Sequence, residues 1–145
     1  MDVAVRPATP EDEPRLAELA KAAIEEQADG RGGSVWSRRE ARYEPPGESQ
    51  RFVGTIDGTP MGYVAVGAET LADGALLGVV TAIYVEPGAR EVAVGEALLD
   101  AAIAWCRERG CTGIDAHALP GNRETKNFFE SFGLTARLIV VHKKL

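Results

Sequence analysis

The chain is 145 residues long, 45% hydrophobic and 26% charged, with a formal net charge of −6. That is enough for one domain around one core, in an ordinary globular composition. It excludes a membrane-spanning helix, because no apolar run approaches the roughly 18 residues required, and it excludes nucleic acid, because there is no basic stripe.

The opening residues MDVAVRPATPEDE lack the basic region and apolar stretch of a signal peptide, so a cytoplasmic protein is expected. Cys106 and Cys111 have no His or Cys at metal-ligand spacing; they read as free thiols, with no metal site. The acidic balance suits a cationic small substrate, and equally suits plain solubility.

In chain order, Val3 and Val5 alternate and predict a short strand. Thr9 and Asp12 form a capping-box-like pair, and Pro10 fits a first helical position. Leu16, Leu19, Ala20, Ala23 and Ile24 then share one helical face. A stretch rich in Gly, Pro and Arg follows, with a short helix expected over residues 37–43. Two strands joined by Asp57-Gly58, a hairpin signal, precede a third apolar strand ending at Val85. Val94, Leu98, Ala101 and Trp105 mark a second long helix, stopped at Gly110. CTGIDAHAL reads as a strand, and Asn122 to Gly133 as a helix with an N-cap and a C-cap. A last strand is expected in LTARLIVVHKKL. Hairpins first and crossover units later imply a mixed α/β sheet with helices on both faces.

The stretch between Val85 and Trp105 is the most suggestive. A strand that runs into a helix N-terminus exposes unpartnered N–H groups and positive dipole charge, which suit an anion. Neither G-x-G-x-x-G nor G-x-x-x-x-G-K-[ST] occurs.

Val85-Glu86-Pro87, then Arg90-Glu91-Val92-Ala93-Val94-Gly95, then Ala97-Leu98-Leu99 resembles the acetyl-CoA motif of the GNAT superfamily of N-acetyltransferases. Asn122, Thr125, Phe128-Phe129 and Gly133-Leu134 resemble the same family's downstream Asn-x-x-Ala-x-x-Phe-Tyr-x-x-x-Gly-Phe pattern. The two motifs stand in the family's order, and the resemblance spans essentially the whole chain, one N-acetyltransferase domain over residues 1–145. It implies the GNAT fold, a splayed mixed sheet holding acetyl-CoA or another acyl-CoA in its opening. Backbone groups of Ile83 and Val85 would hold the pantetheine, and Arg90, Glu91, Val92, Ala93, Val94, Gly95 and Glu96 would wrap the pyrophosphate. Asn122 would reach the pantetheine region. Arg123 and Lys126 would meet the adenosine phosphates or stay as solvated helix charge.

Three departures stand out against that pattern. Ala93 replaces a Gly that lets backbone approach phosphate closely. Glu91 replaces another Gly, so residues 85–96 carry Glu86, Glu91 and Glu96 against Arg90 alone. Phe129 stands where the family has the Tyr that protonates the leaving thiolate. A thiol with a reference pKa near 8.5 leaves tolerably near neutral pH, while general-acid help is worth about 10²- to 10⁴-fold. The catalytic base is unassigned: the candidates are His117, Glu86 and Tyr84, with Tyr84 also expected to pack on the sheet face opposite Ile83 and Val85.

By the resemblance, the region between the first two strands shapes the acceptor pocket, with Trp36, Arg39 and Tyr43 as candidate contacts and Arg38 and Arg42 nearby. The leading reading is an acetyl-CoA-dependent N-acetyltransferase acting on a small-molecule or peptide amine, with a homodimer left open. The alternative is a catalytically weakened GNAT-fold module that binds acyl-CoA or a partner.

Overall fold

The computed structural model describes residues 1–145. Five strands form one sheet in the order β1 (Val3–Pro7), β2 (Ser49–Ile56), β3 (Thr59–Thr70), β4 (Leu76–Val85), β5 (Gly113–Ala116). The first three pairings are antiparallel, and β5 lies parallel to β4. The β2–β3 turn has Asp57 at φ +49° and Gly58 at φ +82°, the two positive angles of the primed turn that Asp-Gly favours.

Helix α1 (Glu13–Gln27) covers one sheet face and α3 (Val94–Glu108) the other. Leu16 and Leu19 of α1 pack on Val53, Tyr63 and Tyr84. Leu98, Leu99, Ala102 and Trp105 of α3 pack on Val64, Val66, Val80 and Val85. Val85 and Ile83 therefore face α3 while Tyr84 faces α1, as strand alternation requires. Gly78 lets α3 approach β4: a Cβ there would lie 2.4 Å from the Cys106 sulfur. Helix α4 (Arg123–Ser131) adds Phe129 to the α3-side core, and α2 (Gly33–Arg38) follows α1.

Two local starts differ from the expected ones. The first helix opens with a 3-10 turn, Pro10–Asp12, before α1 begins at Glu13. Pro14 has no N–H, and its ring clashes with the carbonyl four residues back in a continuous helix. Thr9 and Asp12 do form the box: the Thr9 N–H donates to Asp12 at 2.8 Å, and Arg6 donates to the same carboxylate at 2.7 and 2.9 Å. The short helix expected over residues 37–43 is instead α2 followed by a single 3-10 turn, Glu40–Arg42. Gly32, at φ +77°, turns the chain into α2, and Arg39, at ψ −75° with φ −125°, ends it.

The expected last strand is absent. Residues 135–145 belong to no helix or strand, and no backbone group among them takes part in a hydrogen bond. An apolar run makes a strand only where a sheet edge pairs with its backbone, and no edge in this chain does so. Arg137 is held to Asp115 by an ion pair, with its Nε donating at 2.8 Å.

The sheet is splayed on its β5 side. β4 and β5 pair only over Leu77–Val80 and Gly113–Ala116, while β4 continues to Val85. A bulge between Ala65 and Val66 leaves Thr81 as the extra residue on β4, which bends and twists the strand where the two part.

Candidate functional site

A cavity of about 540 Å³ occupies that splay. One wall is β4 from Val80 to Val85, and the opposite wall is the chain after β5, His117 to Leu119. Gly95 of α3, Asn122, Phe128 and Phe129 of the α4 region, and Glu26, Gln27 and Trp36 of α1 and α2 complete the lining.

The cofactor-loop candidate leaves β4 through a 3-10 turn, Pro87–Ala89, and enters α3 at Val94. No side chain caps α3, and the N–H groups of Val94, Gly95 and Glu96 have no protein acceptor. They are the orphan donors of a helix N-terminus, free for an anion. Ala93 sits at φ +60°, ψ +12°, in the left-handed region. That angle is the physical reason a glycine suits this position. Val92 is half-buried and Val94 fully buried, which anchors the loop.

The acidic excess read from residues 85–96 is relieved by the fold. Glu91 and Glu96 are exposed to water, and Glu86 pairs with Arg15 of α1 at 2.9 Å. Glu86 does not line the cavity, and its carboxylate is held by Arg15. Arg90 does line it, and its Nε donates to the Val85 carbonyl at 2.8 Å. Its Nη2 donates to Glu26 at 2.9 Å, and the guanidinium lies 5.4 Å from the Tyr84 ring centre. The side chain thus clamps the end of β4 to α1. The Val85 carbonyl retains one further lone pair.

Tyr84 lines the cavity and is paired across the sheet with Tyr63, which also lines it. Burial pushes the Tyr84 phenol above its ordinary value, and the nearby Glu26 carboxylate pushes it further. Burial likewise raises Tyr63. Both phenols keep their protons at neutral pH, so Tyr84 is suited to give a proton and poorly suited to take one. His117 is exposed on the facing wall. The Asn122 side-chain carbonyl accepts from the Thr125 N–H at 3.1 Å as the α4 cap, which leaves its amide NH₂ for the cavity.

Phe129 is buried, with its ring 5.7 Å from that of Phe128, and no hydroxyl stands at its place. At the acceptor end, Trp36 reaches the cavity but Arg39 and Tyr43 do not. Arg39 is 72% exposed and paired with Glu40 at 2.6 Å. Glu26 and Gln27 are site residues that a reading of α1 as a core helix passes over. The available signal was their spacing: three and four residues after Ala23, they continue its inward face.

The model of the acetyltransferase (GNAT) family matches residues 13–134. The chain belongs to the GNAT acetyltransferase family. The family uses acetyl-CoA, and the orphan N–H groups of α3 beside an open strand edge fit that cofactor's pyrophosphate and amide arm. No curated protein sequence matches the chain. Among solved structures, an acetyltransferase of Trypanosoma brucei matches at 18% identity and TM-score 0.72, over 99% of this chain and 100% of that one. Glucosamine-6-phosphate N-acetyltransferase from Arabidopsis thaliana matches at 17% identity and TM-score 0.72, over 99% of each chain. AAC(6')-Iy, solved with the bisubstrate analog CoA-S-monomethyl-acetylneamine, matches at 17% identity and TM-score 0.72, over all of both chains. At such identities these GNAT structures share the fold. No helix of the chain is long and apolar enough to cross a membrane.

Proposed function

We propose that this GNAT domain, residues 1–145, is a cytoplasmic N-acetyltransferase that transfers the acetyl group of acetyl-CoA to an amine of a small molecule or peptide. The observation that carries the reading is a single cavity lined both by Gly95, among the free N–H groups at the start of α3, and by Gln27 and Trp36 of α1 and α2. A cofactor held at one end and an acceptor entering at the other meet beside β4. Val94, Gly95 and Glu96 N–H groups hold the pyrophosphate, and the free edge of β4 near Ile83 and Val85 takes the amide arm. Arg90, Glu91, Val92 and Ala93 shape the loop around them.

When bound, acetyl-CoA supplies an acyl thioester with a thiol as leaving group. His117, on the facing wall of the cavity, is the base candidate for the proton given up by the acceptor amine. Tyr84 keeps its phenol protonated and supplies the proton that Phe129 cannot. Trp36, Gln27 and Tyr63 wall the acceptor end. The AAC(6')-Iy analog and the glucosamine-6-phosphate enzyme of the same fold support an amine acceptor.

The test is calorimetric titration with acetyl-CoA and CoA, followed by a thiol-release screen over amines. Micromolar binding with turnover on a cationic amine is the expected outcome. Tyr84→Phe should then lower kcat about 10²- to 10⁴-fold while leaving acetyl-CoA affinity intact. Binding without turnover on any amine would favour the second reading, a weakened acyl-CoA-binding module, to which the buried Phe129 lends support.

A further inference from the structure

Cys106 and Cys111 are free thiols, and neither lines the cavity. The way α3 ends sets them against each other. The Cys111 N–H donates to the Cys106 carbonyl at 3.0 Å, and the Gly110 N–H donates to the Arg107 carbonyl at 3.1 Å. Gly110 stands at φ +76°. Two such bonds closed by a left-handed glycine are a Schellman cap, whose first and last residues meet through their side chains. Here those two residues are the cysteines. Cys106 is 4% exposed in the main core, and half-buried Cys111 packs against the same core. Burial first, and the adjoining Cys111 second, push the Cys106 thiol up to about 12, against the opposing charge of Arg109.

We propose that Cys106 and Cys111 are a modification site, a dithiol that a low-molecular-weight disulfide converts to an intrachain disulfide. Cys111 is the sulfur the reagent reaches, since Cys106 is closed off by the core. The Cys111 thiolate attacks one sulfur of the reagent, forms a mixed disulfide and releases one small thiol. Cys106 then attacks the Cys111 sulfur, and the second small thiol leaves. Two protein thiols are oxidised to one disulfide, the reagent is reduced to two thiols, and the two protons end on those released thiols. The raised pKa keeps Cys106 inert towards reagents in solution, because the thiolate is the nucleophile. Its contact with Cys111 in the cap makes the second step intramolecular and offsets that inertness. The bond would tie the end of α3 to the residue before Thr112, whose N–H docks on the Leu76 carbonyl of β4 at 2.9 Å. Cys106 lies about 16 Å along α3 from Gly95, so the cofactor loop is not disturbed.

The sequence supplies the readout. Arg107 and Arg109 lie between the two cysteines, so trypsin places them on separate peptides joined only by the disulfide. The native full chain is equilibrated over a series of reduced to oxidised glutathione ratios, quenched with N-ethylmaleimide and read by mass spectrometry. The expected product is the joined peptide pair, reversed by dithiothreitol, with no lasting glutathione adduct. Its equilibrium constant should be about 10- to 50-fold higher in the native protein than in urea, because the fold has already closed the loop between the cysteines. Cys106→Ala should retain glutathione on Cys111, and Cys111→Ala should stay unmodified until it is unfolded. A native constant no larger than the one in urea overturns the proposal, because the cap then holds the sulfurs apart. A lasting glutathione adduct on Cys111 of the wild-type chain overturns it as well. None of these readouts depends on acetyl transfer.

Discussion

Ala93→Gly should make this protein more stable, although glycine substitutions ordinarily do the reverse. Ala93 is held at φ +60° immediately before α3. An L-residue with a Cβ pays about 1–2 kcal/mol for that left-handed conformation, which glycine escapes. Against this stands the extra entropy of glycine in the unfolded chain, about 0.4–1 kcal/mol. The balance is a gain of about 0.5–1 kcal/mol, or a melting temperature higher by about 1–4 °C for a domain of this size. Ala104→Gly is the control. Ala104 is exposed in the interior of the same helix, so glycine there should cost about 0.5–1 kcal/mol. Differential scanning calorimetry of the two variants should show shifts of opposite sign. If Ala93→Gly melts lower, as Ala104→Gly does, the left-handed turn is not stored strain and the argument fails. Acetyl-CoA affinity should hold or improve in Ala93→Gly, since removing the methyl clears the approach to the loop.

Other outcomes follow from the same geometry. Glu26→Gln frees Arg90 from a half-exposed ion pair, of a kind worth about 0.2–1 kcal/mol, so acetyl-CoA should bind about 1.4- to 5-fold tighter by calorimetry; weaker binding would mean that Arg90 serves only to hold α1. Phe129→Tyr should raise kcat if its phenol reaches the leaving thiol, at a stability cost of about 1–3 kcal/mol for burying an unpartnered hydroxyl; a cost without any gain in rate would leave Tyr84 as the proton source. Asp12→Ala should lose about 1–3 kcal/mol in urea unfolding at neutral pH, because the carboxylate accepts from Arg6 and from the Thr9 N–H. The Arg6 hydrogen bond, then the Thr9 one, hold the Asp12 pKa well below the carboxylate range, so this stability is present above the unfolded value near 3.9 and lost as pH falls below about 4. A gap between wild type and variant that is as wide near pH 2 as at neutral pH would count against the assignment.

The Asp57-Gly58 turn, the α1 and α3 stripes and the Asn122 cap were legible because each is a local device with a fixed residue requirement. The loop at Arg90–Gly95 was legible as a pattern, but its physical content was not. Only the backbone shows that Ala93 has a positive φ and that Arg90 is spent on Val85 and Glu26. Arg39 and Tyr43 were expected in the acceptor pocket from their neighbourhood in the chain, and the helix break at Arg39 turns them away. Glu26, Gln27 and Tyr63 were missed because a polar residue on an apolar stripe looks like a helix end, and a strand tyrosine looks like core. The absent last strand shows the limit of composition: LIVV specifies that a strand is wanted, while its partner lies outside the pattern.

The two tryptophans sit in unlike surroundings. Trp105 is 5% exposed in the core with the Arg109 guanidinium 3.9 Å from its ring centre, whereas Trp36 is half-buried on the cavity wall. The molecule therefore carries its own optical probe. Filling the cavity should dry the Trp36 indole and shift its emission to the blue, while Trp105 stays silent. In a Trp36→Phe protein the signal should vanish, so ligand entry at the acceptor end can be followed without a label.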